Sequence, residues 1–279
     1  MKFTKMHGIG NDYIYINGFQ ENVPDPSALA IRLSDRHRSV GGDGIVLILP
    51  SECADFRMRM FNADGSEGKM CGNASRCIGK YVYEKGLTTK NVITLETMSG
   101  IKTLRLDVDV NGTVQSVTVD MGHADFVADH VPVIFNEDEV VDRKLNVAGQ
   151  EWEITCLSVG NPHCVLFVEE TESLDLPVIG PQFENAPIFP ERINTEFVQY
   201  IDPTTLKMRV WERGSGETMA CGTGACAAVA AAVRTGRCAV NVPVTVHLLG
   251  GDLWITVHDD GLIQMNGEAA FAFEGEVPA

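Results

Sequence analysis

The sequence predicts an α+β protein of two pseudo-symmetric domains, each a curved sheet wrapped around a central helix. Two segments 150 residues apart repeat one pattern, one predicted helix is apolar on every side, and short strand-like runs fill much of the remainder. The length of 279 residues allows either one or two domains. The internal repeat favours two domains.

The repeated segments are residues 57–73, RMRMFNADGSEGKMCGN, and residues 207–223, KMRVWERGSGETMACGT. Both begin with alternating basic and apolar residues, which is the period of a strand with one buried face. Each then has an aromatic residue, a polar residue, a Gly-Ser turn and a Cys-Gly pair. The cysteines of these pairs are Cys71 and Cys221.

A helix is predicted after each Cys-Gly pair. In the first, apolar residues recur at three- and four-residue steps from Ala74 to Val82, and Gly86 is predicted to end it. The second, Gly224 to about Arg234, has no polar face before Arg234. Such a helix must be buried all round, which predicts that sheet encloses it.

Further strand-like runs, separated by turn residues, are expected on both sides of a boundary near residues 120–130. They are 12–17, 45–49, 101–108, 113–119, 151–158, 163–168, 195–201, 242–247 and 252–258. No long linker separates the halves, so a site at their interface is the default expectation.

Composition excludes several classes of function. The chain has 22 Lys+Arg against 38 Asp+Glu, a formal charge of −16, which argues against a nucleic-acid partner. With 44% hydrophobic and 22% charged residues it is typical of a folded globular protein. No apolar stretch is long enough to span a bilayer and no signal peptide is visible, so we expect a cytoplasmic location without membrane contact.

The eight cysteines are expected to be reduced thiols. None of them forms a CxxC pair, and no histidine pair has helical ligand spacing, so no metal site is predicted. We expect Cys53, Cys156, Cys164 and Cys238 to be small buried apolar residues. Cys71 and Cys221 need more explanation because each precedes a helix.

A cysteine at a helix start lies beside backbone N–H groups that have no helical partner, bind anions and favour the thiolate. If the halves face each other, two helix starts converge on one carboxylate with a thiol on either side. One thiol could then remove a proton from a carbon while the other delivers one, without a cofactor. The amides expected to hold the carboxylate are those of Gly72, Asn73, Gly222 and Thr223.

Six segments together strongly resemble the diaminopimelate epimerase family: MHGIGNDY (6–13), FNADGSE (61–67), MCGN (70–73), GNPHC (160–164), PERIN (190–194) and ERGSGETMACGTGACAA (212–228). The resemblance implies a cofactor-independent epimerase that interconverts LL- and meso-2,6-diaminopimelate, a precursor of lysine and, in many bacteria, of cell-wall peptide. It also implies mostly antiparallel barrels around helices, a C-terminal strand returning to the first domain, and a homodimer.

The resemblance also assigns roles and boundaries. Cys71 and Cys221 match the two acid/base thiols, and His163 and Glu212 match positions that support catalysis near them. The residues matching substrate contacts are Asn11, Asn62, Asn161, Asn194, Glu212 and Arg213. The expected domains are residues 1–121 with 268–279, carrying Cys71, and residues 122–267, carrying Cys221.

Three departures from the family pattern matter. Several members have Gln where this chain has Gly44, so that substrate contact is absent here or supplied by backbone. The first motif reads CGNAS, which puts Ala74 and Ser75 in the opening turn of the helix. Phe273 stands where some relatives have a Tyr associated with dimer contacts.

Three alternatives remain open. A related cofactor-independent racemase, acting on proline or histidine, would share the paired Cys-Gly turns, but Asn73 and the Glu212-Arg213 pair fit diaminopimelate better. A non-catalytic amino-acid-binding protein would give no reason for two thiols. A redox switch would use the thiols to form a disulfide, which we expect to be an inactivating side reaction.

Overall fold

The structure is a computed structural model that describes residues 1–278. Within this range the chain forms four α-helices, one 3₁₀-helix and eighteen strands, which confirms the α+β class. None of the helices in this range is long and apolar enough to cross a membrane. The chain divides into two compact units, Met1–Asp120 with the segment from Asn266 onward, and Met121–Met265.

The first unit has nine strands and two helices. In chain order they are β1 (Lys2–Gly8), β2 (Asn11–Asn17), α1 (Pro26–Ser34), β3 (Gly44–Leu49), β4 (Phe56–Asn62), β5 (Glu67–Gly68), α2 (Gly72–Glu84), β6 (Val92–Thr97), β7 (Gly100–Val108) and β8 (Val114–His123), whose last residues enter the second unit. The ninth strand of this unit is the last strand of the chain.

The second unit repeats this sequence of elements. It contains the 3₁₀-helix Ala128–His130, then β9 (Arg143–Val147), β10 (Gln150–Ser158), β11 (Pro162–Val168), α3 (Leu176–Glu184), β12 (Asn194–Asp202), β13 (Thr205–Glu212), β14 (Gly216–Glu217), α4 (Gly222–Arg234), β15 (Val244–Leu248), β16 (Gly251–Val257) and β17 (Leu262–Gly267). The last strand of the chain, β18 (Ala270–Glu276), belongs to the first unit and pairs with β1, as the resemblance implied.

The strand pairing is the same in both units. Most pairs are antiparallel, but β2–β3 and β4–β6 in the first unit, and β11–β12 and β13–β15 in the second, are parallel. A parallel pair needs a crossover connection. Each of the four helices lies in one of these four crossovers, so the parallel pairs account for the presence of the helices.

Both predicted central helices are present. They begin at Gly72 and Gly222, and the second therefore begins two residues before its predicted start at Gly224. Gly86 and Gly236 follow their ends in the left-handed conformation (φ 72° and 76°), as a helix stop requires. Helix α4 is buried from Gly224 to Ala232 and contacts β10, β11, β12, β13 and β16. The prediction that sheet encloses it is confirmed.

The helices α1 and α3 were not predicted, although they also start 150 residues apart. Each has only nine residues and buries one side, so its apolar periodicity is too short to detect. The Asp25 side chain accepts a hydrogen bond from the Ala28 N–H (3.0 Å) and Pro26 follows at the first position, which is a start signal that could have been recognised.

Helices on both faces explain why β2 is buried along most of its length. Ile14 and Ile16 pack with α1 residues Leu29 and Leu33 in one apolar cluster. Tyr15 points to the opposite face, where it lies beside Cys77 of α2. Strands covered on both faces lose the polar and apolar alternation of a half-exposed sheet.

Candidate active site

Cys71 is the residue that begins helix α2. Its backbone is extended (φ −135°, ψ 120°), and its Sγ accepts a hydrogen bond from the Ala74 N–H at 3.4 Å. Its carbonyl oxygen accepts from the Ser75 hydroxyl at 2.9 Å. The thiol therefore lies at the positive end of the helix, where N–H groups favour a thiolate or a bound anion. Gly72 and Asn73, expected as anion-holding amides, form the buried first turn.

A carboxylate holds Asn11 against this thiol. The Cys71 thiol donates to Asn11 Oδ1 at 3.4 Å, while Asn11 Nδ2 donates to Asp43 Oδ2 at 2.7 Å. Because an ionised carboxylate only accepts hydrogen bonds, Asp43 determines which end of the Asn11 amide faces the sulfur. Asp43 is in turn held by Arg36, whose guanidinium donates to its Oδ1 at 2.9 Å. Asp43 and Arg36 were missed by the sequence analysis.

Arg36 also holds Asp12, the neighbour of Asn11. It donates two hydrogen bonds to the Asp12 carboxylate, at 2.6 and 3.1 Å, and Lys5 forms an ion pair with the same carboxylate at 2.6 Å. Burial raises the pKa of Asp12, and hydrogen bonds from Arg36 and Lys5 lower it, with a net effect below its ordinary value. The carboxylate therefore stays ionised and anchors the start of β2 beside the thiol.

Gly44 leaves no room for a side chain. It pairs with Asn62 across β3 and β4, and an added Cβ would lie 2.0 Å from the carbonyl oxygen of Phe61 and 2.9 Å from the Tyr13 ring. A glutamine side chain at position 44 would therefore not fit this backbone. Asn62, a predicted substrate contact on the paired strand, donates through Nδ2 to the Ser66 hydroxyl at 3.0 Å.

We expect Gly44→Gln to lower the free energy of unfolding by at least about 3 kcal/mol, because the β3–β4 backbone must separate to admit Cβ. Urea unfolding measures the change. Gly112→Gln is the control, since Gly112 also has a positive φ (80°) but open space around its Cβ. Its cost should be about 1–2 kcal/mol from the backbone conformation alone. Equal costs in the two variants would contradict the steric explanation.

Cys221 begins helix α4 as Cys71 begins α2. Its Sγ accepts from the Gly224 N–H at 3.3 Å and lies 3.5 Å from the Thr223 hydroxyl. Burial raises the pKa of Cys221 well above its ordinary value, and the negative charges of Glu212 and Glu196 raise it further. The Thr223 and Gly224 hydrogen bonds lower it only in part. The surroundings of Cys221 in this structure therefore favour the protonated thiol.

His163 and Asn161 connect to this thiol. His163 is fully buried, with Nδ1 2.7 Å from Glu196 Oε1 and Nε2 3.0 Å from Asn161 Oδ1. Asn161 Nδ2 in turn donates to the Thr223 hydroxyl at 3.3 Å. The structure thus joins the predicted residues Asn161, His163, Thr223 and Cys221 in one chain of hydrogen bonds, which begins at the unpredicted Glu196.

Arg213 is placed by Asn194 on the neighbouring strand. The Arg213 N–H donates to Asn194 Oδ1 at 2.9 Å, and Asn194 Nδ2 donates to the Pro162 carbonyl at 2.8 Å. The Arg213 side chain donates through Nη1 to the Glu191 carbonyl at 2.9 Å. Asn194, a predicted substrate contact, therefore makes one hydrogen bond within the protein at each end of its amide, and each end can form one more.

The turn that carries Glu212 and Arg213 is held from α3. Glu184, the last residue of that helix, accepts from the Trp211 indole N–H at 2.8 Å and from the Gly214 N–H at 2.9 Å. The Thr218 hydroxyl donates to Glu212 Oε1. Glu184 was missed because its role depends on a helix that the sequence analysis did not recognise.

Both halves of the predicted site therefore have a cysteine at the start of a helix and an asparagine beside or connected to it. Among residues 1–278, no three His, Cys, Asp or Glu side chains are grouped so that they could hold a metal ion. The arrangement offers thiols, backbone N–H groups and amides. These groups suit proton transfer beside a carboxylate.

Solved structures define the class of fold. A probable proline racemase from Agrobacterium radiobacter matches with a TM-score of 0.73 at 12% identity, covering 99% of this chain and 92% of that one. A hydroxyproline epimerase from Agrobacterium vitis matches with a TM-score of 0.70 at 15% identity, covering 99% and 91%. The fold is therefore one that racemases and epimerases use.

Sequence relatives define the family within that class. The model of the family described as diaminopimelate epimerase matches residues 3–127 and 155–272. Diaminopimelate epimerase of Acetivibrio thermocellus is 53% identical over 278 residues, 99% of this chain and 98% of that protein. Diaminopimelate epimerase of Methanococcus maripaludis is 50% identical, covering 99% of both. This chain belongs to the diaminopimelate epimerase family and is an isomerase.

Proposed function

We propose that this chain interconverts LL- and meso-2,6-diaminopimelate by proton transfer at the α-carbon, with Cys71 and Cys221 as the acid and base. The observation that carries the proposal is that both cysteines begin corresponding helices and accept a helical N–H at sulfur. The names of the sequence relatives supply the substrate.

One thiol must be ionised and the other protonated for each turnover. The thiolate removes the α-proton and the other, protonated thiol delivers one, so the assignment of Cys71 and Cys221 to these two roles reverses with the direction of the reaction. The substrate loses one proton and gains one, so the pair ends with the roles exchanged. The two titrations are coupled, and a pH–rate profile should report values of the pair.

The helix starts stabilise the intermediate state. Removal of the α-proton places negative charge on the adjacent carboxylate, and N–H groups of the first turn of a helix stabilise that charge. The proposed donors are the amides of Gly72, Asn73, Gly222 and Thr223. Because N–H groups are already aligned by the helices, little reorganisation is needed when the charge develops.

The second amino-acid group of the substrate needs polar partners. Arg213 offers a planar fork for a carboxylate, and Glu212 offers a carboxylate for an ammonium group. The proposed substrate contacts are Asn11, Asn62, Asn161, Asn194, Glu212 and Arg213, and His163 supports proton transfer near the thiols. No cofactor takes part in this scheme.

The test is proton NMR of LL-diaminopimelate in D₂O with reduced enzyme and no added cofactor. Loss of the α-proton signal with appearance of the meso isomer is expected. Absence of exchange by enzyme whose Cys71 and Cys221 are shown to be reduced would exclude diaminopimelate as the substrate. Proline and histidine would then be assayed, because related racemases could share the paired thiols.

Replacing Arg213 by Lys should raise KM about tenfold or more although the charge is kept, because an ammonium group cannot form two parallel bonds to a carboxylate. Steady-state kinetics with LL-diaminopimelate measures the change. Arg234→Lys is the control, since Arg234 is exposed and paired with Glu139. A variant at position 213 with wild-type KM would exclude Arg213 from the substrate contacts.

The homodimer and the cytoplasmic location also remain proposals. Phe273, at the position associated with dimer contacts in some relatives, is half-exposed on β18. Sedimentation of the wild-type chain and of Phe273→Asp tests the first. A dimer that persists unchanged in that variant would exclude Phe273 from the interface.

A further inference from the structure

Glu196 is a fully buried carboxylate in a strand whose neighbouring residues are also buried. Its Oε1 lies 2.7 Å from His163 Nδ1, whereas its Oε2 has no hydrogen-bond partner among residues 1–278. Burying a carboxylate is costly unless its hydrogen bonds are satisfied. Replacement by an apolar residue would avoid this cost, so the residue needs an explanation beyond packing.

Strand register brings Glu196 to His163. In the parallel pair β11–β12, His163 of β11 lies opposite Asn194 of β12. Glu196 is two residues after Asn194 in β12. Residues two apart in a strand share a face, so Asn194 and Glu196 both lie on the face that carries the imidazole. The charged and titratable groups around Glu196 are His163 and Cys164 of β11 and Cys221 of α4.

The contact with Glu196 determines where the imidazole carries hydrogen. An ionised carboxylate can only accept, so His163 Nδ1 must donate to it. The other nitrogen, Nε2, lies 3.0 Å from Asn161 Oδ1. An amide oxygen also only accepts, so Nε2 donates to Asn161 in this structure.

From Asn161 the contacts continue to the thiol. Asn161 Nδ2 lies 3.3 Å from Thr223 Oγ1, and that oxygen lies 3.5 Å from Cys221 Sγ. Thus Nδ1 of the imidazole faces the buried carboxylate, and Nε2 faces the chain of groups that leads to the thiol.

The first turn of α4 leaves space for this arrangement. A Cβ added at Gly224 would lie 2.8 Å from Glu196 Oε1 and 3.2 Å from Cys221 Sγ. The Glu196 carboxylate and the Cys221 thiol thus pack against Gly224, where any side chain would contact both groups. The negative charge of Glu196 also contributes to the raised pKa of Cys221.

We propose that Glu196 is a positioning residue of this enzyme, which holds hydrogen on Nδ1 of His163 so that Nε2 is presented to Asn161 and to the contacts that lead to Cys221. The inference rests on the proposed epimerase function for its kinetic consequences only. The hydrogen on Nδ1 can be observed without substrate, so the two proposals can fail separately.

The direct test is ¹⁵N NMR of wild-type protein labelled at its seven histidines, with the His163 signals assigned by their absence from His163→Asn. Nδ1 should have the shift of a protonated nitrogen at every pH from 6 to 9. In Glu196→Gln, whose amide can accept or donate, that preference should be lost. A bare Nδ1 in wild type, or an unchanged spectrum in Glu196→Gln, would overturn the proposal.

The kinetic test separates positioning from packing. Glu196→Gln should lower kcat about 10- to 100-fold, part of what acid–base assistance contributes, with KM within about twofold of wild type. In the His163→Asn background, adding Glu196→Gln should cause no further loss, because Glu196 acts through the imidazole. Multiplied losses in the double variant would show that Glu196 acts independently of His163.

Glu172→Gln is the matched control, because Glu172 is exposed in the same unit and pairs with Lys207. It should leave kcat, KM and the His163 signals unchanged. Wild-type protein that keeps hydrogen on Nδ1 but does not exchange the α-proton of diaminopimelate would refute the proposed function and leave the Glu196–His163 relation standing.

Discussion

The Cys221→Ala variant should turn over LL-diaminopimelate at least about 10³-fold more slowly than wild type while remaining folded. The reason is that a two-base reaction has no substitute for the missing thiol, and general acid–base groups contribute about 10²- to 10⁴-fold each. Cys71→Ala should show a loss of the same size. Turnover is measured by appearance of the meso isomer, and α-proton exchange in D₂O shows whether the remaining thiol still removes a proton.

The cysteines also act as helix caps, so stability must be measured beside activity. Loss of a capping side chain costs about 0.5–2 kcal/mol, which leaves a domain of this size folded. Cys53→Ala is the control, because Cys53 is an exposed thiol in the β3–β4 connection. Substantial epimerase activity in Cys221→Ala would exclude the two-base scheme.

Ala228→Asp should prevent stable folding of the second unit. Ala228 is fully buried in α4, and strands of the surrounding sheet contact that helix. An unpaired carboxylate at this position would have to be buried or neutralised, at a cost of several kcal/mol, and its extra volume would strain the packing. We expect the variant to show no cooperative urea transition, or a urea midpoint too low to measure.

Ala28→Asp provides the matched control on an exposed helical position. Ala28 lies in the first turn of α1, where an acidic side chain is tolerated because of the helix dipole. Its free energy of unfolding should change by less than about 1 kcal/mol. A stable Ala228→Asp variant would mean that α4 is not enclosed as tightly as its burial indicates.

The elements that the sequence predicted share one property, which is that a local pattern identifies them. The composition of α4 leaves it no polar face, and the Gly after each central helix is what a left-handed stop requires. By contrast, β5 and β14 have two residues each, and their pairing with β4 and β13 depends on the turn closing. No periodicity can be read from two residues.

The presence of helices α1 and α3 follows from the topology of the sheet rather than from sequence periodicity. The predicted runs 12–17 and 45–49 form adjacent parallel strands, and a parallel pair requires a crossover long enough for a helix. The sequence does not state that these two runs are parallel. That follows only from the arrangement of the whole sheet.

The supporting carboxylates show a similar limit. Asp43 reaches Asn11 across 32 residues of chain, and Glu196 reaches His163 across 33. Asp43 stands in a glycine-rich loop, and Glu196 interrupts the apolar end of a strand run, so each was visible as an unusual position. Neither signal identifies a partner, because the partner depends on strand register.

By itself, the sequence determined the duplication, the two cysteines that begin corresponding helices, the buried helix α4 and the family of this protein. These features are local patterns of residue type, and chain order preserves them. The tertiary structure alone decided which strands pair in parallel, that Gly44 has no room for a side chain, and which carboxylates orient Asn11 and His163. Such contacts join distant segments, and only the register and packing of the folded strands bring them within hydrogen-bond distance.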